Sequence, residues 1–144
     1  PNATKVWSKM PFGSTVSDFV VRRSDNTYTL IEIERASVRI MQKGNEEPTA
    51  SFNHACQQVR DWRRYVRDNA HTVRSELGLH DIYEPRGMVI IGRDSHVDTS
   101  SAKLRWRDLK QSSDLTLSTY DDVVSSARTL AASLRSLLHG EKTS

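Results

Sequence analysis

Cysteine is almost absent from this chain, and the absence excludes one large class of proteins. Cys56 is the only cysteine among 144 residues, so an internal disulfide framework cannot form. Cysteine and histidine also do not recur at the spacing of a structural zinc site. Such cysteine usage is typical of proteins from a reducing compartment, and we therefore expect a cytoplasmic protein.

Long hydrophobic runs are missing as well. No stretch approaches the roughly 20 apolar residues that a membrane-spanning helix needs, and no signal-peptide pattern precedes the first charged residues. We therefore predict no membrane partner. A glycine-rich phosphate-binding loop is also absent, which argues against a domain that senses nucleotides.

The composition that remains is that of one globular domain over residues 1–144. Hydrophobic residues make up 36% of the chain, which is enough for a core at this length. The formal net charge is +3 and the pI is about 9.2, with arginine more frequent than lysine, which mildly favours a phosphate-bearing partner. Because the chain starts at Pro1 and not at methionine, we expect it to be part of a longer protein.

A predicted β-hairpin at residues 18–35 is the most informative stretch. Two β-favouring runs, residues 19–21 and 28–33, flank the polar residues 24–26, a common hairpin signal. Side chains alternate between the faces of a strand, so Glu32 and Glu34 share one face. If the apolar residues Phe19 and Ile31 share the buried face, Asp18 must lie on the side of the glutamates, paired with Glu32.

This hairpin places three carboxylates on one face, and that arrangement predicts a metal site. Carboxylates that lie close together repel each other and raise one another's pKa. A divalent cation removes this cost, and Mg²⁺ prefers a few carboxylates together with waters and phosphate oxygens. The alternative is a solvated outer face on which the glutamates simply alternate outward, as antiparallel sheets often show.

The first half of the chain adds a strand and a long helix to the hairpin. Residues 4–9 are predicted to form a strand that extends the hairpin to a three-stranded meander. Residues 49–77 are predicted to form a helix that Thr49 caps. Gln58 borders the apolar stripe of this helix, and its amide can hold a water or a phosphate oxygen. The alternative is an ordinary surface glutamine.

The second half predicts a further strand, a helix, an edge strand and a last helix. Residues 88–91 are a continuous apolar run, typical of a buried central strand reached by a βαβ crossover. Residues 101–111 form a helix with Leu104 and Leu109 inward, and residues 115–117 form a short edge strand. Thr119 and Asp122 resemble a capping box for a helix over residues 120–138. We expect the apolar stripe of this helix to lie in the core; it comprises Val123, Val124, Ala127, Leu130, Ala131, Leu134, Leu137 and Leu138.

This order of elements resembles the PD-(D/E)XK nuclease core. Within that superfamily, the sequence is most similar to the Shedu nucleases, which are bacterial anti-phage defence proteins. The resemblance spans most of the chain. It rests on DFV at 18–20, LIEIE at 30–34, NHA at 53–55 with QVRDWR at 58–63, GMVIIGR at 87–93 and STYDD at 118–122. It implies an α/β fold with a central mixed sheet flanked by helices.

The resemblance also implies roles for individual residues. Asp18 and Glu32 correspond to the acidic ligands of Mg²⁺ or Mn²⁺, and Glu34 takes the position that a lysine occupies in the wider superfamily. Gln58 corresponds to a helix glutamine near the site. Together these four would be the catalytic residues of a DNA endonuclease that hydrolyses phosphodiester bonds.

Partners follow from the same reasoning. Arg22 lies on the hairpin face of Asp18 and Arg35 follows Glu34, so we predict that at least one of these arginines contacts a phosphate of DNA; the alternative is that both are ordinary surface residues. The resemblance also implies a homo-oligomer. A different reading is a non-catalytic DNA-binding or oligomerisation module on the same fold, since fold alone does not guarantee chemistry.

Overall fold

The structure, a computed structural model, describes residues 2–140, and it describes side chains for residues 2–136. The strands are β1 (Ala3–Phe12), β2 (Thr15–Arg23), β3 (Tyr28–Ile33), β4 (Arg86–Ile90) and β5 (Thr116–Ser118). The helices are α1 (Ala50–Asp68), α2 (Ala70–Ser75), α3 (Ser100–Ser112) and α4 (Tyr120–Gly140), with a short 3-10 helix at Asp94–His96.

The strands form one mixed sheet in the order β1-β2-β3-β4-β5. The first three strands are antiparallel neighbours, whereas β4 is parallel to β3 and β5 is parallel to β4. Parallel neighbours require a crossover, and α1 and α2 lie in the crossover between β3 and β4. This architecture confirms the predicted α/β fold class and the predicted edge position of the last strand.

The register of the central hairpin is also confirmed. Phe19 pairs with Ile31 and Val20 with Leu30, so the same register places Asp18 opposite Glu32. The amide of Arg23 donates to the carbonyl of Thr27 at 2.9 Å, which leaves residues 24–26 as the loop.

The burial argument for this register was wrong, however. Val20 and Leu30 are fully buried on the face that carries Glu32, whereas Phe19 on the opposite face is 37% exposed. The carboxylate side of the hairpin is therefore the covered side.

Helix α1 covers this carboxylate side of the sheet. Gly87 on β4 pairs with Leu30, and a Cβ added at Gly87 would lie only 2.5 Å from Val59 of α1. The helix begins as predicted, because the Thr49 hydroxyl accepts from the amide of Phe52 at 3.2 Å. Its predicted apolar stripe is buried throughout and consists of Phe52, Ala55, Val59, Trp62 and Val66.

The long predicted helix is divided in two. Asn69 interrupts it with φ of −124°, and its side-chain amide donates to the carbonyl of Tyr65 at 3.0 Å. An asparagine side chain that bonds a carbonyl of the last turn competes with helix continuation. The periodicity continues into α2, which explains why the sequence predicts one helix.

The first strand is longer than predicted and includes Pro11. Proline is compatible with β1 because this strand lies at the sheet edge. The far end of the β1–β2 hairpin reaches α1, where the Phe12 ring lies 6.3 Å from the Trp62 ring. The Trp62 indole N–H donates to the Thr15 hydroxyl at 2.8 Å, so a fully buried tryptophan has its polar atom satisfied.

Helix α3 presents a different face from the predicted one. Ala102 and Trp106 are buried, whereas Leu104 is 51% exposed, so its predicted inward position was wrong. Trp106 packs edge-on against Phe52 with ring centroids 6.0 Å apart, and this large contact sets the rotation of the helix. Leu109 is partly buried against the core, as predicted.

Helix α4 starts as predicted but does not bury its apolar stripe. The Thr119 amide donates to Asp122 at 3.0 Å and the Asp122 amide donates to the Thr119 hydroxyl at 3.1 Å, which confirms the capping box. Leu130 and Leu134 are 61% and 52% exposed, so the expected core position was wrong: α4 leaves the sheet at its edge strand. The side chains of Leu137 and Leu138 lie outside the described residues.

None of the helices within residues 2–140 has the length and apolar content needed to cross a bilayer.

Candidate metal and nucleic-acid site

Asp18 and Glu32 lie side by side on the covered face of the sheet. One Asp18 oxygen, Oδ2, accepts a hydrogen bond of 2.8 Å from the amide of Ile33. This bond ties the aspartate of β2 to the backbone of β3 beside Glu32. The convergence of these two side chains, which the hairpin register predicts, is therefore present in the structure.

Glu32 is a buried acid in an unfavourable environment. Only 8% of its surface is exposed. Burial, followed by the negative charges of Asp18 and Glu34 and a hydrogen bond to Asp18, raises the pKa of Glu32 to about 7. The alternative of a solvated outer face is therefore wrong for Glu32.

Glu34 follows the end of β3, and its backbone is held on two sides. Its amide donates to the carbonyl of Ile90 at 2.9 Å, and its carbonyl accepts from the Tyr120 hydroxyl at 2.9 Å. The side chain is half-buried, and its charge contributes to the raised pKa of Glu32. Glu34 is thus fixed close to the acid pair.

Lys9 is a member of this site that the sequence did not reveal. Its ammonium nitrogen lies 2.5 Å from Asp18 Oδ1, and this hydrogen bond is the main cause that raises the pKa of Lys9. On β1, Ser8 pairs with Phe19 and Met10 with Ser17, which puts Lys9 opposite Asp18. The only sequence signal for this contact is the β1–β2 register, which stays unassigned when the first strand is predicted to end at residue 9.

The acids form a pair rather than a closed metal cage. Within the part of the chain that the structure describes, no group of three histidine, cysteine, aspartate or glutamate side chains is arranged to hold a metal ion. Asp18 and Glu32 remain the two candidate ligands. Two carboxylates are sufficient for Mg²⁺ when waters and substrate oxygens complete the shell.

Gln58 lies on the helix that covers this face. It is half-buried and is one turn from the buried residues Ala55 and Trp62, so it belongs to the side of α1 that approaches the sheet. Its role at the site stays a prediction.

The two predicted phosphate-binding arginines lie in different surroundings. Arg22 is near the hairpin turn, four residues from Asp18, and its guanidinium donates to Asn26 at 2.8 Å. It also lies 3.6 Å from Asp81. Arg35 is exposed and directly follows Glu34, so it is close in sequence to Glu32. Phosphate binding by either residue stays a prediction.

A protein-family model matches most of this chain. The model described as Shedu protein SduA, C-terminal, matches residues 3–124. This range includes the whole sheet, α1 and every residue of the candidate site. No curated protein matches the chain.

Two solved structures share part of the architecture. One is described as the EndoMS–dsDNA2 complex and the other as a repair endonuclease from Pyrococcus abyssi. Each is 16% identical to this chain, covers 78% of it and gives a TM-score of 0.40. This chain spans 34% and 36% of those two chains, respectively, and a likeness at this level carries no argument about chemistry.

Proposed function

Because the chain belongs to the Shedu protein SduA C-terminal family, we propose that it is a metal-dependent endonuclease that hydrolyses DNA phosphodiester bonds in bacterial anti-phage defence. The observation that carries this proposal is the adjoining pair of Asp18, which is partly buried, and Glu32, which is buried. Adjoining acids on a covered sheet face destabilise the fold when they ionise, and acids with a strongly raised pKa, such as Glu32, cluster at functional sites. In the family that this chain resembles, such a pair of acids binds the metal ion of a nuclease.

The donor chemistry of this pair fits Mg²⁺ or Mn²⁺. Both side chains offer carboxylate oxygens, the ligands that hard divalent cations prefer, and Glu32 must release its proton before it can coordinate. When bound, such an ion lowers the pKa of a coordinated water and offsets negative charge on the scissile phosphate. Asp18 and Glu32 are the residues that would hold it.

The remaining residues act on the water and on the DNA. The backbone of Glu34 is fixed by Ile90 and Tyr120, and its side chain orients or deprotonates the attacking water. The Gln58 amide helps to hold this water. Arg35 and Arg22 contact backbone phosphates. Such contacts make DNA binding depend on salt and not on base sequence. A homo-oligomer, which the family likeness implies, is part of the same proposal.

One observation favours a second candidate function, a non-catalytic DNA-binding or oligomerisation module. The Lys9 ammonium already neutralises Asp18 at 2.5 Å, and the described residues hold no group of three metal-binding side chains. A module of this kind keeps its basic residues but binds no divalent ion tightly.

Metal binding and DNA cleavage distinguish the two functions. Calorimetry with Mn²⁺ and plasmid cleavage with Mg²⁺ are measured on the wild type, Asp18→Asn and Glu32→Gln, with Glu46→Gln in the exposed loop as the matched control. We expect Asp18→Asn and Glu32→Gln to bind Mn²⁺ weakly and to lose cleavage by about 100-fold or more, while Glu46→Gln behaves as the wild type. A wild type that binds DNA but no Mn²⁺ would establish the module. Equal cleavage by the wild type and Glu32→Gln would place the activity elsewhere.

A further inference from the structure

We propose that Lys9 on β1 supplies the ammonium group that the segment from Glu32 to Glu34, at the end of β3, lacks, and that this ammonium contacts a non-bridging oxygen of the scissile phosphate. The inference rests on the proposed nuclease function and assigns a residue to it. Where the wider superfamily has a lysine, this chain has Glu34. A glutamate at this position repels the phosphate that the site must bind, so an ammonium group from another element would assist the metal ion in offsetting its charge.

The position of Lys9 meets this requirement. Its Nζ lies 2.5 Å from Asp18 Oδ1, and its side chain is 71% exposed while that of Asp18 is 20% exposed. The ammonium therefore contacts Asp18 from the solvent side, where a DNA phosphate must arrive. The charge of Glu32 also acts on Lys9, which places the ammonium within electrostatic range of both proposed metal ligands.

The backbone of Lys9 is a second, independent observation. Its φ is 54°, and the other described non-glycine residues with positive φ are Asn26 and Asp81, which lie in turns. Lys9 instead lies within a strand. An L-residue with a side chain as large as lysine rarely adopts this conformation, and such outliers cluster at functional sites.

A purely structural ion pair between Lys9 and Asp18 is the competing explanation. Exposed pairs of this kind contribute little to stability. If the pair is only structural, removing the ammonium frees Asp18 for the metal and changes the unfolding equilibrium slightly, but it leaves DNA binding and cleavage unchanged. If Lys9 contacts the phosphate, removing the ammonium strengthens Mn²⁺ binding and weakens DNA binding.

The test uses Lys9→Met, Lys9→Arg and, as the matched control on the same strand, Lys5→Met. Mn²⁺ affinity is measured by calorimetry, affinity for a short DNA duplex is measured in Ca²⁺, and cleavage is measured at saturating Mg²⁺. We expect Lys9→Met to bind Mn²⁺ about 3- to 10-fold more tightly, because the ammonium no longer competes for Asp18. We expect the same variant to bind DNA more weakly and to cleave it about 100-fold more slowly. Lys9→Arg keeps the charge and should recover part of the cleavage, while Lys5→Met should match the wild type.

The outcomes separate this inference from the proposed function. A wild type that binds no Mn²⁺ overturns both. A wild type that binds Mn²⁺, together with a Lys9→Met variant whose DNA affinity and cleavage rate are unchanged, overturns the role of Lys9 alone. If Lys9→Met does not fold, Lys9→Gly gives the same test, because glycine accepts a φ of 54° without strain.

Discussion

Asp18 lies opposite Glu32 across the β2–β3 pair, on the face of the sheet that α1 covers, and the amide of Ile33 donates to Asp18 at 2.8 Å. Asp18 is hydrogen-bonded to the Ile33 amide and paired with Lys9, whereas Glu32 is buried. The two carboxyl groups therefore differ in chemistry although they are neighbours. Glu32 is the acid that keeps its proton to near neutral pH, since its pKa is raised to about 7.

The raised pKa of Glu32 predicts that the metal-free protein loses stability as the pH rises. The folded state holds this proton with a pKa of about 7, whereas the unfolded chain has the ordinary value of 4.5. The contribution is therefore fully present below pH 4.5 and is lost as the pH rises through about 7. Urea unfolding at pH 5 and pH 8.5 should show a fall on the order of 2 kcal/mol in the free energy of unfolding.

Glu32→Gln is the control for this pH dependence. Glutamine has nearly the same size and cannot ionise, so the fall between the two pH values should largely disappear. The carboxylates with lowered pKa, Asp25, Asp114 and Asp122, are ionised at both pH values and contribute no slope there. A Glu32→Gln variant with the same slope as the wild type would show that another group titrates.

The sequence predicts which residues of this hairpin share a face, but it does not predict which of the two faces is buried. Period-two alternation places Asp18 and Glu32 on one face, and the turn residues define the register. Neither signal says which face a helix will cover, because Val20 and Leu30 share the acid face just as Phe19 and Ile31 share the other. The close approach of Val59 to Gly87 shows that α1 covers the acid face, and this contact joins distant parts of the chain.

Lys9 and α4 show the same limit in two other ways. The contact of Lys9 with Asp18 depends on the pairing of two strands around a positive φ, which no local pattern specifies. The apolar stripe of α4 correctly predicts a helix, yet a hydrophobic face does not name the surface that it packs on. Leu130 is exposed for this reason.

The positive φ of Lys9 predicts an unusual order of stability among variants. At 54° a β-carbon is strained, so Lys9→Gly should be more stable than Lys9→Ala by about 1 kcal/mol. Both variants lose the same ion pair, so the difference isolates the backbone. Thermal unfolding of the two proteins under identical conditions measures it.

Ser8 provides the matched comparison on the same strand. Its φ is not among the positive values of the described residues, so Ser8→Gly should be less stable than Ser8→Ala by roughly 0.5–1 kcal/mol. The same order at both positions would mean that the backbone of Lys9 is an ordinary extended one.

The exposed stripe of α4 predicts that its leucines contribute little to the fold of the monomer. Leu130→Ser and Leu134→Ser should each change the free energy of unfolding by only about 0.5 kcal/mol, since both side chains are more than half exposed. Leu117→Ala on β5, where the leucine is 3% exposed, should instead cost about 2–5 kcal/mol. A loss at Leu130 as large as that at Leu117, independent of protein concentration, would contradict the exposed position.

The contact between Tyr120 and Glu34 predicts that a substitution at Tyr120 changes the position of Glu34 and leaves Asp18 and Glu32 in place. The Tyr120 hydroxyl donates to the Glu34 carbonyl at 2.9 Å, so Tyr120→Phe should lower the free energy of unfolding by about 1 kcal/mol. Tyr83→Phe removes the same atom from a side chain that is 74% exposed and should have no effect. Because Asp18 and Glu32 do not depend on Tyr120, Mn²⁺ affinity should stay at the wild-type value while DNA cleavage falls several-fold. A parallel loss of Mn²⁺ affinity would show that Glu34 is itself a metal ligand.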